Sequence, residues 1–124
     1  MLSPFKKSGI VSLYKSIEYS FYGLVFAFKN EQAFRCELFI GSILSLFLLI
    51  SDISLSSKVL LGVLFLFLLV IELINSAIEV LCDRVSLEFD IRIKSVKDMG
   101  SAAVFFALLI NIIAWVYHFK DLFC

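Results

Sequence analysis

The chain has 124 residues, a mean hydropathy of +1.01 and 61% hydrophobic residues, and its eleven basic side chains balance eleven acidic ones. A soluble domain carries only about 45–50% apolar residues, and a chain this short cannot bury the excess in a core. The composition excludes a disordered chain, a disulfide scaffold and a nucleic-acid-binding protein with a basic face. Because one Pro and five Gly leave few helix breakers, we expect an all-α integral membrane protein.

The first predicted element is a helix over about residues 5–29 that lies on the membrane surface. Its apolar side chains recur at helical spacing, whereas charged side chains interrupt every run that could span a bilayer. The apolar stripe comprises Tyr14, Ile17, Phe21, Leu24 and Phe28. Asn30 is the expected N-cap of the next helix, with Glu31 in the first turn of that helix.

Three membrane-spanning helices are predicted next, over about residues 31–51, 58–82 and 99–119, within one domain over residues 1–124. The last of these holds no formal charge and reaches the roughly 20 residues that a crossing needs. Nine of the eleven Lys and Arg lie near the start of the first span or between the second and third. This bias predicts that the N-terminus and the 83–98 loop are cytoplasmic and that the C-terminus is outside.

Acidic side chains interrupt the middle span. Glu72, Glu79 and Asp83 fall within about 40° of one another around a helix, with Asn75 about 60° aside. Charges at membrane depth are costly and usually mark a pathway or an active site, although such groups also make helix–helix hydrogen bonds. Several carboxylates with Lys or Arg at one interface suit a divalent cation and phosphates. These residues predict a metal-competent acidic site, without specifying its chemistry.

Three short blocks carry a likeness to a known family. They read NEQAFR from Asn30, ELINSAIE from Glu72 and KDMGSAAV from Lys97. In this order the blocks resemble the bacterial diacylglycerol kinase family, and the resemblance extends from Tyr19 to Trp115. It implies a homotrimeric kinase of the bacterial inner membrane, with a periplasmic C-terminus and active sites shared between subunits. Such a kinase transfers the γ-phosphoryl group of MgATP in line to diacylglycerol, which gives phosphatidic acid.

The resemblance also assigns roles to individual residues. Glu72 would be the general base that takes the proton of the lipid hydroxyl. Glu31 and Glu79 would hold Mg²⁺ and contact ATP. The remaining nucleotide contacts would be Tyr19, Glu88, Lys97 and Asp98, the supporting residues Asn75 and Asp83, and the other lipid contacts Ala33, Arg35 and Ser101.

The chain departs from the family pattern at two places outside the three blocks. The family commonly reads E-Y-H where this chain has Glu88, Phe89 and Asp90, and an arginine near the start of the surface helix is Ser12 here. Because the three blocks are intact, we expect kinase activity with an altered affinity for the nucleotide.

Three other functions compete with this interpretation. An undecaprenol kinase of the same family tends to read A-K-D-V-A-A-G-A-V, whereas residues 96–104 read VKDMGSAAV and favour diacylglycerol. An ion-conducting bundle would need polar residues through the outer half, and residues 59–71 offer only Gly62. A non-catalytic accessory subunit would not need the buried carboxylates.

Overall fold

The structure, a computed structural model, describes residues 9–123, and these residues form four α-helices. The helices are α1 (Gly9–Asn30), α2 (Gln32–Ile50), α3 (Leu55–Val85) and α4 (Ile91–Phe123). Helix α3 is central, because it packs against both α2 and α4, while α1 contacts α2. The prediction of an all-α fold is confirmed. The part of the first predicted helix over residues 5–8 lies outside the described residues.

Three of the four helices are long and apolar enough to cross a membrane. Within the described residues these are Gln32–Ile50, Leu55–Val85 and Ile91–Lys120. Their large apolar side chains mostly point outward, as Phe39, Leu49 and Ile50 do with exposures of 68%, 71% and 82%. So much exposed apolar surface suits contact with lipid or with another apolar helix, and not with water. The structure therefore fits a membrane protein.

Helices α3 and α4 continue beyond the spans predicted from hydropathy. Helix α3 ends at Val85 and α4 begins at Ile91, so only residues 86–90 separate the two helices. The prediction of a loop over residues 83–98 was wrong. Charged residues lower the hydropathy of this segment, but Arg and Lys are good helix formers and extend a helix beyond the bilayer. Both Lys94 and Lys97 consequently lie on α4.

The junction between α1 and α2 is a single-residue break at Glu31. Asn30 ends α1, and its side-chain amide donates a hydrogen bond to the carbonyl of Phe26 at 2.9 Å. Glu31 takes the N-cap position of α2 with φ −112° and ψ 107°, and its side chain makes no capping bond. The guanidinium of Arg35 donates to the carbonyl of Phe28 at 2.8 Å and ties α2 back to α1. The predicted N-cap role of Asn30 was wrong, because its side chain bonds back into α1.

Glycines let the neighbouring helices approach α3 closely. A Cβ atom on Gly100 of α4 would overlap the side-chain oxygen of Asn75, and a Cβ atom on Gly41 of α2 would overlap the ring of Phe65. Both glycines are buried. Gly100 thereby brings the backbone of α4 against the polar face of α3, whereas Gly41 brings the backbone of α2 against an apolar ring of α3.

Away from the acidic residues, the interface between α3 and α4 is apolar except for the side-chain amide of Asn111. Asn111 donates to the carbonyls of Leu64 and Ala107, both at 3.0 Å. Leu61 and Leu68 are among the buried apolar side chains of this half. Both amide hydrogens of Asn111 are therefore used in hydrogen bonds, and the bond to Leu64 links α4 to α3.

Candidate active site

The site is built on one turn of α3 that carries three buried polar side chains. Glu72 is 4% exposed, Asn75 is 8% exposed and Ser76 is 6% exposed. Positions three and four residues apart share one face of a helix. Helix α2 brings the carboxyl group of Glu37 close enough to Glu72 for the two groups to interact electrostatically. Helix α4 closes the other side, where Gly100 lies against Asn75.

Three buried polar atoms in this region have no hydrogen-bond partner within the described part of the chain. They are Oε2 of Glu37, Oδ1 of Asn75 and Oγ of Ser76. Such atoms are rare in proteins, and each unmet hydrogen bond costs about 1–3 kcal/mol. Their grouping around one buried carboxyl group indicates a site that another polar molecule completes.

Further charged groups lead from Glu72 toward the end of α3. Glu31 and Glu79 are half-buried, and both act electrostatically on Glu72. The ammonium group of Lys97 lies 2.6 Å from Oδ1 of Asp83 and also interacts electrostatically with Glu79. The structure thus brings six of the predicted site residues into one cluster, namely Glu31, Glu72, Asn75, Glu79, Asp83 and Lys97.

Two cavities open beside this cluster. A cleft of about 740 Å³ lies between α1 and α3. Its polar lining consists of Ser20, Glu31, Ser76 and Arg84. A second cavity of about 480 Å³ lies at the turn between α3 and α4. It is lined by Asp83, Ser86, Leu87, Glu88, Phe89, Asp90, Ile93, Lys94 and Lys97. The buried acidic centre is therefore flanked by a cleft with both polar and apolar lining and by the cavity at the α3–α4 turn, which we call the charged cavity.

Four predicted contacts lie apart from this cluster. Tyr19 is exposed on α1 and lines neither cavity. Ala33 on α2 and Ser101 on α4 are exposed as well. Asp98 pairs with Lys94, whose ammonium group lies 2.7 Å from its Oδ2 atom. The chain therefore assembles the acidic part of the predicted site but not all of its predicted contacts.

Comparison with known proteins assigns the chain to a family. Residues 18–119 match the model of the prokaryotic diacylglycerol kinases, which covers nearly all of the described chain. The chain belongs to this family. The matched region contains every residue of the site, and the predicted family membership is confirmed.

Curated relatives support the same assignment over most of their length. The diacylglycerol kinase of Pseudomonas aeruginosa is 40% identical over 114 residues, which cover 91% of this chain and 93% of the relative. That of Haemophilus influenzae is 42% identical over 117 residues, covering 90% and 94%. That of Escherichia coli K12 is 36% identical over 111 residues, covering 87% and 88%. The prediction that the chain is a kinase is confirmed by these similarities.

Glu37 is the residue of this family member's acidic centre that sequence reasoning missed. Glu37 directly precedes an uncharged run over residues 38–51, a position typical of a side chain at the level of the lipid headgroups. A signal was present, since Glu37 lies three residues after Phe34 and four before Gly41, and both of these are buried. The buried face of α2 passes through Glu37 at this spacing.

Asp90 stands where family members commonly have histidine, and it begins helix α4. Its Oδ1 atom accepts a hydrogen bond from the backbone N–H of Arg92 at 2.8 Å. Its carbonyl accepts the first helical bond, from the N–H of Lys94 at 2.9 Å. These two bonds are those of an N-cap residue. The departure from the family pattern therefore has a structural role at the rim of the charged cavity.

Replacing Asp90 tests this role. We expect Asp90→Ala to lower the free energy of unfolding by about 0.5–2 kcal/mol, the usual cost of a lost N-cap. Asp90→Ser should restore most of that stability, because serine caps helices about as well as aspartate. Unfolding in detergent micelles measures both. Equal stability of the alanine variant and the unaltered protein would contradict the capping role.

Proposed function

We propose that this protein phosphorylates diacylglycerol to phosphatidic acid with ATP as the phosphate donor. The carrying observation is the buried carboxyl group of Glu72, surrounded by polar atoms that lack hydrogen-bond partners. Family membership supports the proposal, as do curated relatives named diacylglycerol kinase. A buried acidic centre inside an apolar helix suits a substrate that is a lipid with a free hydroxyl group.

In the proposed reaction, the proton acceptor is Glu72, in the most buried part of the site. The carboxylate of Glu72 takes the proton of the lipid hydroxyl as the hydroxyl oxygen bonds to the γ-phosphorus of ATP. The bond from that phosphorus to the bridging oxygen breaks in line, and ADP leaves. Phosphoryl transfer depends mainly on position and on charge neutralisation, and a positioned base adds about 10²–10⁴-fold. Asn75 and Asp83 would support this arrangement.

Glu31 and Glu79 fit a magnesium ion that arrives with the nucleotide. Mg²⁺ is commonly held by one or two carboxylates together with substrate phosphates and water. Both residues are half-buried, and both act on Glu72, so they belong to one acidic centre. The described residues contain no group of three or more His, Cys, Asp or Glu placed to hold a metal without the nucleotide. When bound, the ion would neutralise phosphate charge.

The charged cavity at the α3–α4 turn suits the nucleotide. Lys97 and Glu88 line it, and Lys97 brings a positive charge toward Glu79. A homotrimer with sites shared between subunits would give Tyr19, Ala33 and Ser101, exposed on one protomer, a place in a neighbouring site. The apolar outer surfaces of the helices are compatible with that assembly.

We place the reaction at the cytoplasmic face of the bacterial inner membrane. Four of the basic residues, Arg84, Arg92, Lys94 and Lys97, gather at the α3–α4 turn, and basic residues favour the cytoplasmic side. The N-terminus then lies in the cytoplasm and the C-terminus in the periplasm. Helix α1 would lie along the membrane surface and Arg35 near the lipid headgroup.

The proton-acceptor role of Glu72 is tested by Glu72→Gln. We expect transfer of labelled phosphate from MgATP to dioleoylglycerol to fall by about 10²–10⁴-fold, because the amide cannot take the proton. Binding of ATP should be nearly unchanged, since the proposed role of Glu72 is toward the hydroxyl group of the lipid substrate and not toward the nucleotide. The control is Glu18→Gln, which removes a half-buried carboxylate on α1 that pairs with Lys15. Full activity of Glu72→Gln would contradict the role.

The magnesium role is tested by Glu79→Gln and Glu31→Gln. Each should raise the Mg²⁺ concentration needed for half-maximal activity by about tenfold or more, since even outer ligands change metal affinity by about 10–100-fold. Titration of activity with Mg²⁺ at saturating ATP measures this shift, again with Glu18→Gln as the control. An unchanged titration curve in both variants would show that these carboxylates do not hold the ion.

A further inference from the structure

The charged cavity at the α3–α4 turn contains a second lysine to which the proposed mechanism assigns no role. Lys94 and Lys97 both line this cavity of about 480 Å³. The two residues are three positions apart on α4, so their side chains lie on neighbouring parts of one helix face. Two lysine side chains therefore border the space that we assign to the nucleotide.

Each lysine is paired with a carboxylate. Lys97 contacts Asp83 at 2.6 Å, and Lys94 contacts Asp98 at 2.7 Å. The side chains of Lys94 and Asp98 are 56% and 63% exposed. Exposed pairs at this helical spacing contribute only about 0.3–0.5 kcal/mol. An anion entering the cavity can therefore compete for the ammonium group of Lys94 at little cost.

The start of α4 also concentrates positive charge. Arg92 and Lys94 lie close to the N-terminus of the helix, and no acidic residue lies in its first turn. Cations near the positive end of a helix are unfavourable by about 0.3–1 kcal/mol each, whereas anions there are favourable. Asp90 offsets part of this charge through its capping bond to Arg92. Of these two positive residues, Lys94 is the one that lines the cavity.

We propose that Lys94 contacts the phosphate chain of ATP beside Lys97 and thereby sets the affinity for the nucleotide. This inference rests on the proposed function. The phosphate chain carries more negative charge than one Mg²⁺ neutralises, and two ammonium groups supply the remainder. A contact made equally in the bound substrate and in the transition state lowers KM and leaves kcat unchanged.

Three variants of Lys94 test the proposal. We expect Lys94→Gln to raise KM for ATP by about fivefold, the upper range for an exposed charge pair, and Lys94→Glu to raise it further by repulsion. Lys94→Arg should stay close to the unaltered protein, because it keeps the charge. In all three, kcat and KM for dioleoylglycerol should be unchanged. Direct displacement of a fluorescent ATP analogue by ADP gives a second measurement that needs no turnover.

The matched control is Arg92→Gln, two residues away on the same helix. Its side chain is 90% exposed and does not line the cavity. An unchanged KM for ATP in both Lys94→Gln and Lys94→Glu, or an equal rise in Arg92→Gln, would overturn the assignment. A fall in kcat at constant KM would overturn it as well. If the unaltered protein phosphorylates no lipid, the proposed function fails, while weaker displacement by ADP in Lys94→Gln still identifies the phosphate contact.

Discussion

The cost of holding a carboxyl group inside an apolar helix governs the rest of this structure. Glu72 is almost fully buried in the most apolar element of the chain, and such a group needs polar neighbours and exclusion from lipid. Helix α3 is accordingly central, with α2 and α4 packed on its polar face. Gly100 allows α4 to reach Asn75, and α2 contributes Glu37 beside Glu72. The helix arrangement is what a buried acidic centre requires.

The side chains of the site become more exposed to solvent along α3, from Glu72 to Asp83. Around Glu72 the side chains are buried and several polar atoms are unsatisfied. About two to three turns further along, Glu79 is half-buried and Asp83 is exposed and paired with Lys97. A lipid hydroxyl group and a water-soluble nucleotide need these two environments side by side. Helix α3 carries both environments, and the proposed phosphoryl transfer uses both of them.

The sequence predicted the helical class, the three candidate spans and the acidic stripe, because hydropathy and helical spacing report directly on burial. It did not predict features that depend on contacts between helices. Glu37 was not assigned to the site, because only packing against α3 brings it to Glu72. The cap at Asn30 was wrong because that side chain bonds within α1. The segment over residues 83–98 is mostly helical because hydropathy marks the limits of the membrane and not the ends of helices.

Transfer of labelled phosphate from MgATP tests the central claim most directly. Dioleoylglycerol and undecaprenol would be offered side by side to the full chain in detergent micelles with Mg²⁺. The proposed function predicts labelled phosphatidic acid as the main product. Labelled undecaprenyl phosphate as the main product would contradict the assigned substrate while keeping the family chemistry. No transfer to either lipid by folded protein would contradict the catalytic role itself.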